Sequence, residues 1–367
     1  MIRQIRRLTR PVPALGNGAL AIAVYAQPTK AGMQPWPAAE QGFEGVACVD
    51  DAARAAVLYI ALWQRHRMPW ARDAAQGLLA FVQAMQTGDG TFVNFILDWD
   101  GRKNLTTTTS IPGDGAWVAR AMHALACGVS AFGDAGCAES FERGLPWLDR
   151  AIPYLDVRAV ALLAVVECWR TTGADDLAAR AVAWANEIAD AADGNVLPDQ
   201  PGLAQIHLWG HLQEAALADA GMAFARPDLV EAARRSAEAV LIPPVEQHFP
   251  GASVLPFDVS CVVRGLDAVA AATGECRYER MASLARAWFD GRNSAGMPVY
   301  ERDRGLVFDG IDDGLVSPNS GAESNIEGAL ALLDSLPVHL YEPSLALPKA
   351  TEPGRGGPQW TRTNDRT

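Results

Sequence analysis

Two kinds of helical segment alternate along this chain. Residues 157–169, VRAVALLAVVECW, are apolar on nearly every side, and a helix hydrophobic all round must be enclosed by protein. Leu177, Ala181, Trp184 and Ile188 instead recur at steps of four, three and four, leaving Arg180, Glu187 and Asp190 for water, as a surface helix requires. Enclosed segments begin near Ala47, Gly115, Asp156, Ile206, Phe257 and Gly321, and one-sided segments follow the first five near Pro69, Cys137, Ala174, Pro227 and Cys276. The period is about 50 residues.

Thr172-Gly173 and Thr273-Gly274 stand at equivalent points, with glycine where a helix carboxyl end favours a left-handed residue. Six enclosed helices, each backed by an outer one, predict an all-α chain closed into an (α/α)6 toroid. The sixth outer helix is not visible, because Pro337, Pro343 and Pro348 interrupt the chain after the last enclosed run. The amino-terminal segment is the candidate to fill that gap. Ala19 to Tyr25 reads as a strand or an extended stretch. The expected organisation is an extended segment packed on the toroid over residues 1–40, the toroid over 41–340, and a flexible tail over 341–367, where Pro353 to Pro358 is rich in proline and glycine.

A formal net charge of -12 repels a phosphate backbone, and the basic residues form no stripe beyond Arg3, Arg6, Arg7 and Arg10, so nucleic acid is excluded as a partner. The six cysteines show no CxxC spacing and lie mostly in apolar helical runs, which points away from a metal cluster or a disulfide framework. Nothing approaches the roughly 18 apolar residues of a membrane span. The basic start followed by Ala14 to Ala26 has the outline of a signal peptide, but Pro11, Pro13, Gly16, Asn17 and Gly18 interrupt it, and the reading is cytoplasmic.

In such a ring the amino ends of the inner helices converge on one mouth, and the loops leading into them are where chemistry is sought. Two of these loops, 87–112 and 293–320, are long and carry aromatic, glycine and acidic residues. Asp50 and Asp51 open the first inner helix. One of them suits a helix cap, yet two adjacent aspartates with Arg54 three to four residues on form a charged cluster beside an apolar run. Asp89 and Asp100 sit in Asp-Gly turns, whereas Asp98 and Asp114 lie beside Trp99 and Trp117. An indole face next to carboxylates suits a sugar, and core filling is the other use of those tryptophans.

His207 and His211 fall four apart, on one face of the expected fourth helix, with Glu214 following. That spacing suits zinc, but the glutamate that follows the first histidine in a metallohydrolase helix is absent, so no metal and no cofactor is expected, and the pair reads as substrate-lining groups with Trp209. Asp258 is either a helix cap or a ligand for hydroxyls. Glu323 and Glu327 share a face at the start of the sixth inner helix with Asn325 between them, and Ser320 with Glu323 also fits a capping box.

Residues 45–58, GVACVDDAARAAVL, resemble the Cys-Thr-Asp-Asp-Asn-Ala-Arg-Ala-Leu segment of six-hairpin glycosidase-like toroids, a group that includes proteins accompanying glycosyltransferases; valine and alanine replace the threonine and asparagine here. Residues 319–330 are similar to the Gly-Ala-Glu-Ser-rich final inner helix of that group. The resemblance implies the toroid and a carbohydrate theme, without fixing a reaction. The leading expectation is a glycoside hydrolase-like enzyme acting on an oligosaccharide or glycoside through Asp51, Asp114 and Glu323. Asp50, Arg54, Asp98, Trp99, Trp117, His207, Trp209, His211, Asp258 and Asn325 would line its sugar site. A non-catalytic sugar-binding or accessory protein is the alternative, and the Asp-Asp pairs raise a terpene-cyclase-like toroid that lacks its DDxxD and DxDD patterns.

Overall fold

The apolar runs become helices close to where their spacing puts them. The computed structural model describes residues 1–30, 32–36, 43–111, 115–150, 152–203 and 206–341. In chain order the helices are α1 (Ile2–Leu8), α2 (Val49–His66), α3 (Pro69–Met85), α4 (Ala116–Phe132), α5 (Ala135–Leu148), α6 (Leu155–Thr172) and α7 (Asp175–Asp190). They continue with α8 (Gln213–Ala223), α9 (Pro227–Ser236), α10 (Ile242–Glu246), α11 (Pro256–Thr273), α12 (Cys276–Arg286) and α13 (Ala322–Leu332).

Among the described residues, α2, α4, α6, α8, α11 and α13 form an inner ring in which each helix touches the next and α13 returns to α2. Behind each of the first five lies the helix that follows it: α3, α5, α7, α9 and α12. The all-round apolarity of α6 follows from this placement, since neighbours flank it on both sides and α7 covers its back. Gly173 and Gly274 end α6 and α11 at φ 68° and 71°, the left-handed value at which a side chain would be strained.

The sixth outer place is taken by α1, which lies against α13. Here the structure departs from the expected extended segment. Ile2, Ile5 and Leu8 are buried at helical spacing, while Arg3 donates to the carbonyls of Asp303 (2.9 Å) and Arg302 (3.2 Å), and the buried Gln4 donates to Ser320 O at 3.1 Å. Seven residues rich in arginine give too short a period to be read as a helix from sequence. The strand expected within 19–25 is present as Leu20–Ile22, antiparallel to Thr9–Pro11 with Thr9 opposite Ile22. The tail expected over 341–367 lies, apart from Tyr341, outside the described residues.

The fourth inner helix starts at Gln213, well after the apolar pattern suggests. Gly210 at φ 82° and a tight turn from His211 N–H to Leu208 O hold 206–212 as a loop. The long connections are likewise built rather than loose: Ala47–Cys48 pairs with Phe95–Ile96, Ile311–Asp312 with both Ser253–Val254 and Leu315–Val316, and Tyr300–Glu301 with Leu306–Val307. No helix among the described residues is long and apolar enough to cross a membrane.

Candidate functional site

Arg54 stands where the ring closes. Cys48, extended at φ -135° and ψ 158°, caps α2 by accepting the Asp51 N–H on its sulfur at 3.4 Å. Asp50 and Asp51 then occupy the first turn, where a helix amino end favours negative charge. One turn on, Arg54 Nη2 reaches Asp51 Oδ1 at 2.9 Å, Asp50 Oδ2 at 3.3 Å and, across the seam, Glu323 Oε2 at 3.0 Å; Nη1 reaches Glu327 Oε1 at 3.0 Å. The spacing of Glu323 and Glu327 on α13 is what lets one guanidinium serve both. Arg120 of α4 grips Asp50 with Nη1 at 2.5 and 2.6 Å, and the Phe257 ring of α11 lies under both guanidiniums, 4.9 Å from Arg54 and 5.2 Å from Arg120. Four inner helices therefore meet on two cations.

The carboxyls of this cluster respond differently. Burial pushes Asp50 up, but Arg120 and Arg54 outweigh it and hold the group below the ordinary carboxylate value. For Asp51 burial dominates; Arg54 opposes it, the charges of Asp50 and Glu323 reinforce it, and the group is lifted to about 7. Burial also lifts Asp309, to about 6, although it accepts the Gly321 N–H at 2.6 Å. The Cys48 thiol donates to Asp51 Oδ2 at 3.3 Å and stays protonated, its pKa raised by burial and by the neighbouring aspartates.

A cleft of about 320 Å3 opens on this cluster, lined by Asp50, Asp51, Arg54, Asp309 and Glu323 together with Cys48, Asn94, Tyr25 and Phe43. Ligand sites begin at about this size. Glu323 is its most open carboxylate, with 42% of its side chain exposed. Deeper along the ring axis, Arg54, Arg120, His123, Arg264 and Glu327 line a chamber of about 30 Å3, room for about two waters. Glu327 Oε2 is fully buried there without a hydrogen-bond partner. Burial, reinforced by Arg264, pushes His123 down to about 3, so its ring is neutral.

A second charged cluster sits at the foot of α8. His211 is wholly buried, with Nδ1 2.7 Å from Asp199 Oδ1 and Nε2 3.1 Å from Glu214 Oε1. Burial disfavours its charge, but Glu214 and Asp199 overcome that and raise it to about 10, leaving an imidazolium clamped between two carboxylates. Gln213 Nε2 and the His207 N–H also donate to Asp199, at 3.0 and 2.8 Å, and Ser236 donates to Glu214 at 2.6 Å. His207 lies in the preceding loop, its Nδ1 bonded to Trp209 O at 2.8 Å and its ring stacked on the exposed Trp209 at 4.1 Å. The two histidines therefore do not share a helix face.

The other expected site residues divide. Asp50, Asp51, Arg54 and Glu323 meet at the cleft. Asp258 lies near Glu323 and is raised mainly by burial, while its Oδ2 accepts the Leu255 N–H at 2.7 Å, which is helix capping. Glu323 forms no capping box, because Ser320 donates to Val307 O at 2.7 Å instead. Asn325 is fully buried and its amide is spent within the loop: Oδ1 accepts Val307 N–H at 2.9 Å, and Nδ2 donates to Gly321 O and the Ser320 hydroxyl, both at 2.8 Å. It is a brace for the 306–321 loop and not a sugar contact. Asp98 closes its own turn, accepting from Asp100 N–H at 3.1 Å and from Arg102 Nε at 2.9 Å, at a hairpin tip whose Gly101 abuts Leu15 and Val12; Trp99 sits half-buried beside it, away from the cleft. Trp117 folds back over Gly115 and donates to Phe92 O at 2.9 Å. Asp114 lies outside the described residues. Sequence reasoning missed Arg120, Asp199 and Asp309 as well as Cys48. Arg120 had a signal, being the one arginine or lysine in the stretch AWVARAMHALAC of α4, which is apolar apart from it and His123.

No family model matches the sequence, and no curated protein matches it. Solved structures match in shape. The cellobiose 2-epimerase from Spirochaeta thermophila DSM 6192 superposes with a TM-score of 0.65 at 13% identity, over 89% of this chain and 91% of that one. A D-mannose isomerase gives 0.63 at 10% identity over 86% and 92%. A family 76 glycoside hydrolase from a bovine Bacteroides thetaiotaomicron strain gives 0.61 at 12% over 90% and 75%. At such identities the likeness is one of fold, the (α/α)6 toroid.

Proposed function

We infer that this chain is a carbohydrate-processing enzyme whose sugar binds in the mouth cleft, and that glycoside hydrolysis is its reaction. One observation carries the reading: a carboxyl kept protonated near neutrality, Asp51, lies across one guanidinium from the open carboxylate of Glu323. Both oxygens accept from the same Nη2, which keeps them within about 6 Å; inverting hydrolysis leaves about 6.5–9.5 Å for a water, retaining hydrolysis about 5–5.5 Å. In the retaining sequence Asp51 gives its proton to the leaving oxygen as a Glu323 oxygen bonds the anomeric carbon and the glycosidic bond breaks. Asp51, now ionised, takes a proton from the water that releases the sugar. The Tyr25–Phe43 pair in the cleft and Trp209, exposed on the loop before α8, offer flat apolar faces to a sugar.

A second reading, proton transfer that epimerises or isomerises a free sugar, is favoured by the same closeness of the two carboxyls and by the epimerase and isomerase among the structures of similar shape. A panel of oligosaccharides and aryl glycosides, with products assayed both for cleavage and for altered sugar, separates the two. Turnover is expected to fall as pH rises through about 7, where Asp51 loses its proton. Asp51→Asn and Glu323→Gln should each lower it by about 100-fold or more. The ionised form of Asp51 burdens the fold: the cost is absent below the ordinary value of 3.8 and complete above about 7. Asp51→Asn should therefore gain in stability relative to the native chain as pH rises from about 4 to 8, and a constant difference would show that Asp51 does not titrate there. Native turnover in both variants, with folding intact by circular dichroism, would remove the assignment.

A further inference from the structure

Below the mouth, Arg264 of α11 adds a further guanidinium to the ring axis, lining the small chamber with Arg54, Arg120, His123 and Glu327. Arg54 and Arg120 have carboxylate partners, whereas Arg264 makes no ion pair with any described residue. Among the described residues Glu327 is the one carboxylate in the chamber wall, and it is wholly buried. Its Oε1 accepts from Arg54 Nη1 at 3.0 Å, and its Oε2 has no donor. A buried carboxylate oxygen left bare is costly, and the chamber has room for water to join it to Arg264. Cys261 feels both charges: burial keeps its thiol protonated, Glu327 reinforces that and Arg264 opposes it.

The two edges of Arg54 are divided between chamber and cleft. Nη1 is turned to Glu327, and Nη2 to Asp51 at 2.9 Å and Glu323 at 3.0 Å. A guanidinium is a rigid planar fork, so the residue that holds Nη1 also sets where Nη2 points. Its charge is shared in the same way, and the part that answers Glu327 is lost to Asp51. Asp51 otherwise faces Cys48, Asp50 and Glu323. Glu327 has Arg120 and the neutral His123 around the same chamber besides Arg264.

Resting on Asp51 and Glu323 as the reacting pair, we propose that Glu327 is their positioning residue: joined through water to Arg264, it fixes the edge of Arg54 from which both accept and limits the positive charge that reaches Asp51. Arg264 acts on the pair only through Glu327.

Two readouts on the full chain test this: the pH profile of turnover, and the 13C titration of the Asp51 carboxyl in the free protein, its resonance identified by its loss in Asp51→Asn. Glu327→Gln keeps an oxygen for Arg54 Nη1 and removes the charge, so Asp51 should give up its proton at least about half a pH unit lower, and the alkaline fall in turnover should move with it. Arg264→Gln should move both the other way, because Glu327 then draws on Arg54 alone. In the double variant the Arg264→Gln shift should vanish. A damaged fold would lower turnover at every pH and move neither midpoint. Unmoved midpoints in Glu327→Gln, or an Arg264→Gln shift that survives in the Glu327→Gln background, would overturn the positioning role while leaving the reaction standing. Shifted titrations in a chain that turns over no sugar of the panel would remove the reaction and leave the hold of Glu327 on Asp51.

Discussion

Two buried ionic clusters share the mouth of the ring, and they are finished to different degrees. Around His211 one imidazolium meets two carboxylates, and Ser236, Gln213 and the His207 N–H supply further donors; Glu214 Oε2 and Gln213 Oε1 are left over. The cluster is sealed, and it ties the 199 loop to α8. Around Arg54 one guanidinium serves carboxylates from both ends of the inner ring, burial lifts one carboxyl to about 7, and a cleft opens on it. A network that the chain closes over is architecture. One that lacks partners and faces a cavity is where a ligand belongs.

The sharpest way to break this contrast is to remove each cation. Arg54→Met leaves carboxylates of two helices facing each other without a counter-charge, and chemical denaturation should show a loss of about 3–5 kcal/mol. A loss under about 1 kcal/mol would mean that the closure of the ring does not depend on this side chain.

His211→Gln should cost less, about 2–3 kcal/mol at pH 6, since glutamine keeps part of the hydrogen bonding. Its pH dependence is diagnostic. Because His211 rises from 6.5 unfolded to about 10 folded, its contribution is whole below pH 6.5 and is lost as pH climbs toward 10. The gap between native and variant proteins should narrow over that window, and a constant gap would show that the ring is neutral in the fold.

The smallest stability effect belongs to Trp209→Ala, within about 0.5 kcal/mol because the indole is half exposed and packs mainly on His207. Sugar affinity should still weaken by about tenfold. Unchanged affinity would take Trp209 out of the sugar's path.

The ring itself was legible because burial dictates composition. A helix walled in on all sides must be apolar throughout, and residues 157–169 declare that without any knowledge of their partners. Where polarity and burial part company, legibility ends. Ile206 and Leu208 continue the apolar pattern although they lie in a loop, so the spacing of the histidines suggests a helical face they do not have. The short α1 is masked by its arginines, of which Arg3 and Arg7 donate to carbonyls about three hundred residues away. Of the site, the Asp50-Asp51-Arg54 and Glu323 stretches stood out because each concentrates charge at the head of an apolar run. Their convergence on one guanidinium depends on α13 meeting α2, a contact that only the closed ring creates. Asn325 shows the converse: an amide beside glutamates reads as a ligand contact, and its bonds to Val307, Ser320 and Gly321 appear only in three dimensions.

The most direct test is a crystal structure of the protein soaked with the tightest-binding oligosaccharide of the panel. The account predicts a sugar ring in the cleft between the Tyr25–Phe43 pair and Arg54, with hydroxyl groups within hydrogen-bonding distance of Glu323 and Asp51. A sugar held elsewhere on the ring, with the Arg54 cluster dry and unchanged, would contradict it.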